Sequence, residues 1–428
     1  MTGFRFHRHA LGIGLGTLLL AGCGRSPATS PLPAQTTSGV AYPFVGKAYK
    51  LLYSFQGGTG DGAQPSANLI NVGASLYGTT ADGGEAGTNF HRGCGTVFQV
   101  TQSGTERVLH TFGETGDGCE PLGDLANVGG NLYGTTAGGG PNANGTVFVL
   151  TQSGVETVLY SFEGYPTDGS SPTAGLIYVH GSLYGTTEGG GNGNNSECGD
   201  GCGTVFKIST DGVEDVLHSF NSGMDGQQPL AALTYVSGAF YGTTFHGGVY
   251  SSGSGPRCGT VFRVTADGKE RVIYRFKGGT DGQEPMSDLV PLHGKLYGTT
   301  KLGGTSGSGC DIHGCGTIFE TSTSGTERVL YRFKGGKDGQ QPFGGLTVFN
   351  GALYGTTYYG GATGDGTVFE VSTSGGERVL YSFKGSNGAN PMAGMLALGD
   401  TFFGTTLNGG QSHCTYSSGC GTVFRIAP

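Results

Sequence analysis

The sequence predicts an all-β protein, a seven-bladed β-propeller of four-stranded antiparallel blades in which the N-terminal strand completes the last blade. Three observations carry that prediction. Glycine supplies 89 of 428 residues, four short motifs recur seven times in one fixed order, and the first and last copies are incomplete in complementary ways. Glycine at about one residue in five, against a usual share of about 7%, excludes a helical protein. Collagen is excluded because glycine does not recur at every third position and only 16 prolines are present. Disorder fits poorly with 20 Tyr, 24 Phe and a charged content of 13%.

The first motif is a strand-like run ending at Phe55, Phe112, Phe162, Phe220, Phe276, Phe333 and Phe383. The second is Asp-Gly-x-x-Pro, beginning at Asp61, Asp117, Asp168, Asp225, Asp281 and Asp338, with Asn387 in the last copy. The third, [YF]-Gly-Thr-Thr-x-x-Gly-Gly, begins at Tyr77, Tyr133, Tyr184, Tyr241, Tyr297, Tyr354 and Phe403. The fourth, Gly-Thr-[VI]-Phe, begins at Gly95, Gly145, Gly203, Gly259, Gly316, Gly366 and Gly421. Successive third motifs lie 49 to 57 residues apart, the length of a four-stranded propeller blade. Strand A follows the proline, as in residues 230–238, and strand B enters Tyr-Gly-Thr-Thr. Strand C starts at Gly-Thr-Val-Phe, and a tight turn leads to strand D. The chain therefore opens with a lone strand D at 50–55 and ends with A, B and C of the seventh unit. Pairing these two ends removes two exposed sheet edges at once.

The N-terminus reads as an export signal. Arg5 and Arg8 precede the apolar run Leu11 to Leu20, too short to span a bilayer, and then Leu20-Ala21-Gly22-Cys23. That tetrapeptide resembles the lipobox of bacterial lipoproteins, which implies cleavage after residue 22, lipidation of Cys23 and anchoring to a bilayer. Gly24, not Asp, follows the cysteine, which in that resemblance favours the outer membrane, with the domain facing the periplasm or the cell surface. Residues 23–45 form a Pro/Ser/Thr-rich tether and 46–428 the propeller. Cleavage takes the net charge from −8 to −10, and no basic stripe exists, so nucleic acid is not an expected partner.

The paired Tyr-Gly-Thr-Thr-x-x-Gly-Gly and Gly-Thr-Val-Phe motifs resemble the GloVer repeat of bacterial choice-of-anchor surface proteins. The resemblance covers about nine-tenths of the chain and implies an exported, anchored repeat domain with no agreed activity. The strand layout is also similar to kelch propellers, but the chain has no Trp, so kelch partners do not transfer.

Residues present in every unit build blades, because one active site needs no sevenfold copy. Gly78 and its counterparts permit close approach of a neighbouring ring. Phe98, Phe112 and their equivalents wedge blade against blade, and the Asp-Gly carboxylates cap local backbone N–H groups. Calcium at these turns is a weaker alternative, since the Asp-x-Asp-x-Asp-Gly pattern is absent. No cofactor is expected.

Variation collects on one face. Between the third and fourth motifs lie 14, 8, 15, 14, 15, 8 and 14 residues in blades 1 to 7, and each of the five long loops ends in a cysteine: Cys94, Cys202, Cys258, Cys315 and Cys420. A cross-link offsets the entropy lost when a long Gly/Ser loop orders. The expected staples are Cys198 with Cys202, Cys310 with Cys315, and Cys414 with Cys420, with Cys94 and Cys119 as a further pair. Cys258 is left over, either as a buried free thiol or as a contact with another chain. Cys310, His313 and Cys315 offer zinc ligands, with His91, His246 and His413 on the same face, but exported thiols oxidise and no metal centre is expected.

The long-loop face carries the ligand-binding candidates Phe90, His91, Arg92, Phe245, His246, Tyr250, Arg257, His313, Tyr358, Tyr359, His413 and Tyr416. Aromatic faces beside hydrogen-bonding groups suit a sugar or an extended polymer, although single exposed aromatics are also ordinary. No Gly-x-Ser-x-Gly, His-Glu-x-x-His or phosphate-cradling loop is present, and no catalytic residue is assigned. The expected function is a lipid-anchored, extracytoplasmic binding or scaffolding module for a polysaccharide or a surface protein. The alternative is an exported glycan hydrolase or lyase at the channel mouth, marked by acids unique to one or two blades at the axis.

Overall fold

Seven four-stranded antiparallel sheets arranged in a ring make up the computed structural model. It describes residues 49–427, apart from 85–91, 194–197, 249–257, 305, 306, 308, 311, 411–413 and 415–417. The expected signal peptide, Cys23 and the tether lie outside the described residues. Blade 1 runs Ile70–Val72, Ser75–Thr80, Thr96–Thr101 and Glu106–Thr111, the strands A to D of the unit. Blades 2 to 6 repeat that order. Blade 7 takes A, B and C from Leu396–Leu398, Thr401–Thr406 and Thr422–Ile426 and its strand D from Lys50–Ser54 at the other end of the chain. No α-helix occurs among the described residues.

Strand A is shorter than the sequence suggests. Of the run 230–238 only Thr234–Val236 pairs as a strand, because the residues between the proline and the strand leave the sheet to form the wall of the axial channel. Strand D carries a bulge in every blade. In blade 1 the register skips Leu109 between the pairs Val97 with His110 and Phe98 with Val108, which increases local twist. The C–D turn glycine of the next blade docks on that bulge, and a Cβ at Gly154 would meet the Leu109 carbonyl oxygen at 2.6 Å.

Two repeated contacts join blade to blade. Each strand-D phenylalanine meets the strand-C phenylalanine of the following blade edge-on, with centroids 5.0 to 5.2 Å apart from Phe55 on Phe98 round to Phe383 on Phe424. Burying two such rings per junction supplies apolar area that no blade buries alone. The glycine of Tyr-Gly-Thr-Thr makes room for this wedge, since a Cβ at Gly185 would lie 2.7 Å from the Phe206 ring and 2.9 Å from Leu176. The first threonine of the motif then donates to a backbone carbonyl of the next blade. The series runs from Thr79 to Gly123, through Thr186 to Ala231, and closes from Thr405 to Ala67 across the chain ends.

Candidate functional site

The second threonine of each motif holds the start of the long-loop face. Thr80 Oγ1 lies 2.8 Å from Thr96 Oγ1 and donates to the Asp82 carbonyl, and all seven blades repeat the Thr–Thr contact at 2.7 to 2.9 Å. Above it, the Asp-Gly segment pairs with the segment after Tyr-Gly-Thr-Thr in every blade. The residue before each proline, Gln64, Glu120, Ser171, Gln228, Glu284, Gln341 or Asn390, is left-handed with φ between 53° and 61°. Two backbone hydrogen bonds over-determine it: Gln228 N–H donates to the Cys202 carbonyl, and the Gln228 carbonyl accepts from Phe245 N–H. Its recurrence in seven blades makes it part of the fold, and it sets a ring of amide, carboxyl and hydroxyl side chains around the channel mouth.

The mouth is not symmetric. The residue after Tyr-Gly-Thr-Thr is Ala81, Ala137 and Glu188 in blades 1 to 3 but Phe245, Lys301 and Tyr358 in blades 4 to 6. Lys301 Nζ stands 5.3 Å from the Phe245 ring centre and 5.8 Å from that of Phe343, and 3.0 Å from Glu284 Oε2. An ammonium over two ring faces is held by cation–π attraction. Phe343, missed by the sequence reading, meets Tyr358 edge-on at 5.0 Å. Tyr358 itself is only 3% exposed, so its reading as a surface aromatic is corrected: it supports Phe343 from beneath. Phe245, His246, His313 and Tyr359 are half-buried and Arg92 is exposed on the same face. Phe90, His91, Tyr250, Arg257, His413 and Tyr416 lie outside the described residues.

Below the mouth a chamber of about 110 Å³ occupies the axis. Asp124 and Asp288, from blades 2 and 5, both line it. Asp124 accepts from the backbone N–H and the side-chain amide of Asn68, each at 2.6 Å. Burial pushes the Asp288 carboxyl up to about 7, with a further contribution from the Asp124 charge. Ser66 Oγ, Asn68 Oδ1 and Thr173 Oγ1 around the same chamber are buried without a protein partner. Neither acid belongs to a repeated motif position, which is why motif spacing did not find them.

The blade junctions hold a second, repeated set of titratable groups. The Asp61 carboxylate accepts from Gln56 N–H, Gly62 N–H and the Tyr53 hydroxyl. Glu106, at the start of the next strand D, faces it. Burial, then the Asp charge, pushes Glu106 up to about 7. The same arrangement recurs at five further junctions, with Glu156 and Glu327 pushed up to about 7 and Glu214 to about 8, while Glu270 and Glu377 are raised for the same reasons. At Asp225 burial opposes ionisation, but His218 and Asn221 N–H outweigh it and hold that carboxyl below its usual range. In each pair burial and the neighbouring Asp charge raise the Glu carboxyl.

Four disulfides pin the long-loop face: Cys94–Cys119, Cys198–Cys202, Cys310–Cys315 and Cys414–Cys420, with Cα separations of 4.5 to 5.5 Å. Oxidation of Cys310 and Cys315 removes two of the zinc ligands considered from the sequence. Cys258 is buried in the blade core, and the reading of it as a free thiol is corrected, because Cys258 is disulfide-bonded and none of the described cysteines is free.

Fold and face together define a closed, disulfide-stapled seven-bladed propeller built from tandem repeats. The Gloeobacter/Verrucomicrobia repeat matches residues 34–199 and 195–424, and the chain belongs to that family. No curated protein matches it. Among solved structures it is similar to the WD40 β-propeller domain of Doa1, at 11% identity and a TM-score of 0.51 over 90% of this chain and 98% of that one. It is also similar to puromycin hydrolase, at 13% identity and a TM-score of 0.50 over 80% of this chain and 50% of the other. The designed protein Ika8 matches over 88% of this chain and 99% of its own, at 15% identity and a TM-score of 0.47. At these identities the likeness is one of fold.

Proposed function

We propose that this protein is a lipid-anchored, extracytoplasmic binding or scaffolding module that takes a polysaccharide or a surface protein on its long-loop face. The observation that carries the reading is the one-sided rim, where Phe245, Lys301 and Phe343 in blades 4 to 6 stand beside a ring of amide, carboxyl and hydroxyl side chains. Apolar ring faces next to hydrogen-bonding groups match the alternating apolar and hydroxyl faces of a sugar. The Leu20-Ala21-Gly22-Cys23 sequence and four disulfides support export. Calcium is not needed for this reading.

A second reading, a glycan hydrolase or lyase, has Asp124 and Asp288 in its favour, since both are unique to their blades and meet at the axis. Against it stands the chamber's volume of about 110 Å³, well below the roughly 300 Å³ of a small-molecule pocket. A glycan and polysaccharide array, with product analysis of every hit, tests both. Binding without turnover, weakened about tenfold or more by Phe245→Ala with Phe343→Ala, is the expected result. Turnover abolished by Asp288→Asn establishes the enzyme instead, and silence across the array moves the ligand class to protein.

A further inference from the structure

Strand D ends in Val-Leu-Tyr-Ser-Phe or a close variant in five units, but in Val-Leu-His at blades 1 and 3, at His110 and His218. At six of the seven junctions the side chain at this position faces the Asp of the next blade's Asp-Gly turn, with the Glu of that blade's strand D behind it. Four of the seven junctions place a tyrosine hydroxyl there, 2.7 to 2.9 Å from the carboxylate, a normal O–H···O hydrogen bond. The two histidines differ. His110 Nε2 lies 3.3 Å from Asp117 Oδ2, and His218 Nε2 lies 3.3 Å from Asp225 Oδ2, hydrogen bonds at the long end of the range.

That separation has another meaning. Two ligand atoms bound about 2.0–2.2 Å from a tetrahedral zinc ion stand about 3.3–3.5 Å apart. The third group is in place, because one ligand atom each from His110, Asp117 and Glu156, and from His218, Asp225 and Glu270, lie within 4.8 Å of one another. Glu156 Oε1 and Glu270 Oε1 are moreover buried without a hydrogen-bond partner. The four tyrosine junctions share that unpartnered oxygen but present a phenol, a poor neutral ligand, where these two present an imidazole. His110 and His218 are 19% and 18% exposed at the side chain, which leaves a path for an ion and a position for water.

We propose that His110, Asp117 and Glu156, and separately His218, Asp225 and Glu270, form two inter-blade sites for a divalent transition-metal ion of the zinc class. Imidazole with two carboxylates suits such ions, whereas calcium takes six to eight oxygens that these groups do not supply. Neutral imidazole contributes the Nε2 lone pair, both carboxylates coordinate as anions, and any proton a ligand carries passes to solvent on binding. Each ion released from one site would free one link, blade 1 to blade 2 at the first and blade 3 to blade 4 at the second.

The test uses the intact, chelator-stripped protein with its disulfides formed. Zinc titration by calorimetry, in two buffers of different ionisation enthalpy, and thermal unfolding with and without zinc are measured for the native chain, His110→Tyr, His218→Tyr and the double variant. Tyrosine is the residue that the five other junctions carry, so these variants retain the fold, and unchanged Tm without metal verifies it. The expected result is two zinc ions per chain with proton release and a raised Tm, one ion in each single variant, and at least about tenfold weaker binding with no Tm rise in the double variant. Zinc binding that the double variant keeps, or a native chain whose Tm zinc does not move, overturns the proposal. Calcium raising Tm equally in native and double-variant protein overturns it as well, by assigning the stabilisation to oxygen ligands elsewhere.

Discussion

Six of the seven blade junctions carry an Asp beside a Glu whose carboxyl is raised by burial and by that Asp, and the junction between blades 6 and 7 carries neither. There Asn387 stands in place of Asp, and Tyr49, just before the N-terminal strand D, occupies the position of the Glu. Tyr49 stacks flat on Tyr381 at 4.2 Å and donates its hydroxyl proton to the Asn387 carbonyl. The closing blade is the one assembled from both chain ends, so no covalent link holds its outer strand to its inner three. A junction made from ring stacking and neutral hydrogen bonds keeps that strand in place whatever the protonation of its surroundings. The difference teaches that the repeat changed its chemistry, and not its geometry, where the ring had to close without a peptide bond.

Removing the wedge that all junctions share costs the most stability. Phe319→Ala at an internal junction and Phe424→Ala at the closing one each delete a fully buried ring, expected to cost about 3–5 kcal/mol. The two differ in what comes loose. Denaturant unfolding should give similar losses, while limited proteolysis should release residues 49–55 early in Phe424→Ala alone, because only that strand D is attached by non-covalent contacts to its sheet. Equal protease resistance in both variants would mean that the non-covalently attached strand is held as firmly as the covalently attached ones.

Converting the closing junction into an ordinary one comes next. Tyr49→Glu with Asn387→Asp should lose the stacked pair, worth about 0.5–1.5 kcal/mol beyond burial, and acquire a pH dependence that the native junction lacks. The sign follows from proton counting. An unfolded Glu titrates near 4.3, and the junction Glu residues titrate at about 7 to 8 in the folded protein. Across that window the native state holds more protons than the unfolded one, so stability falls as pH rises from about 4.3 to 8 and is level on either side. Measured Tm between pH 5 and 8 should therefore decline in the native chain and decline more steeply in the double variant. Glu327→Gln works in the opposite direction, flattening the slope by about one-sixth, since six separated pairs act nearly additively. A Tm that rises with pH over this range would contradict the raised Glu carboxyls.

Much of the fold was legible because the repeat states each contact seven times. Glycine in Tyr-Gly-Thr-Thr, the wedge phenylalanines and the closure by residues 50–55 follow from spacing, β-propensity and the removal of sheet edges. The site was less legible, and for physical reasons. Lys301, Phe343, Asp124 and Asp288 occupy variable positions within the repeat, and their importance comes from convergence round an axis that no local spacing encodes. Tyr358 read as exposed because loops are usually solvated, yet the mouth of a narrow ring brings neighbouring loops close enough to bury a tyrosine beneath Phe343. His110 and His218 read as members of a strand pattern, since a histidine for a tyrosine leaves hydrophobic periodicity unchanged.

The smallest expected effect lies in the threonine latch, and it is the sharpest test of closure. Thr186 and Thr405 donate to the carbonyls of Ala231 and Ala67 at 3.1 and 3.3 Å, and both are about 1% to 2% exposed. Replacement by valine keeps the shape and removes one donor, at a cost of about 1 kcal/mol plus whatever the stranded carbonyl loses. At Thr186 the two blades remain joined by the chain itself, so the loss should appear only in the unfolding free energy. At Thr405 the latch spans the gap between the chain's two ends. Amide exchange in Lys50–Ser54 should accelerate there by about the factor of five that 1 kcal/mol permits, with no change in the same strand for Thr186→Val. If both variants leave that strand equally protected, closure rests on the aromatic wedge and the Tyr49 stack, and the latch serves only to set the spacing of the blades round the channel.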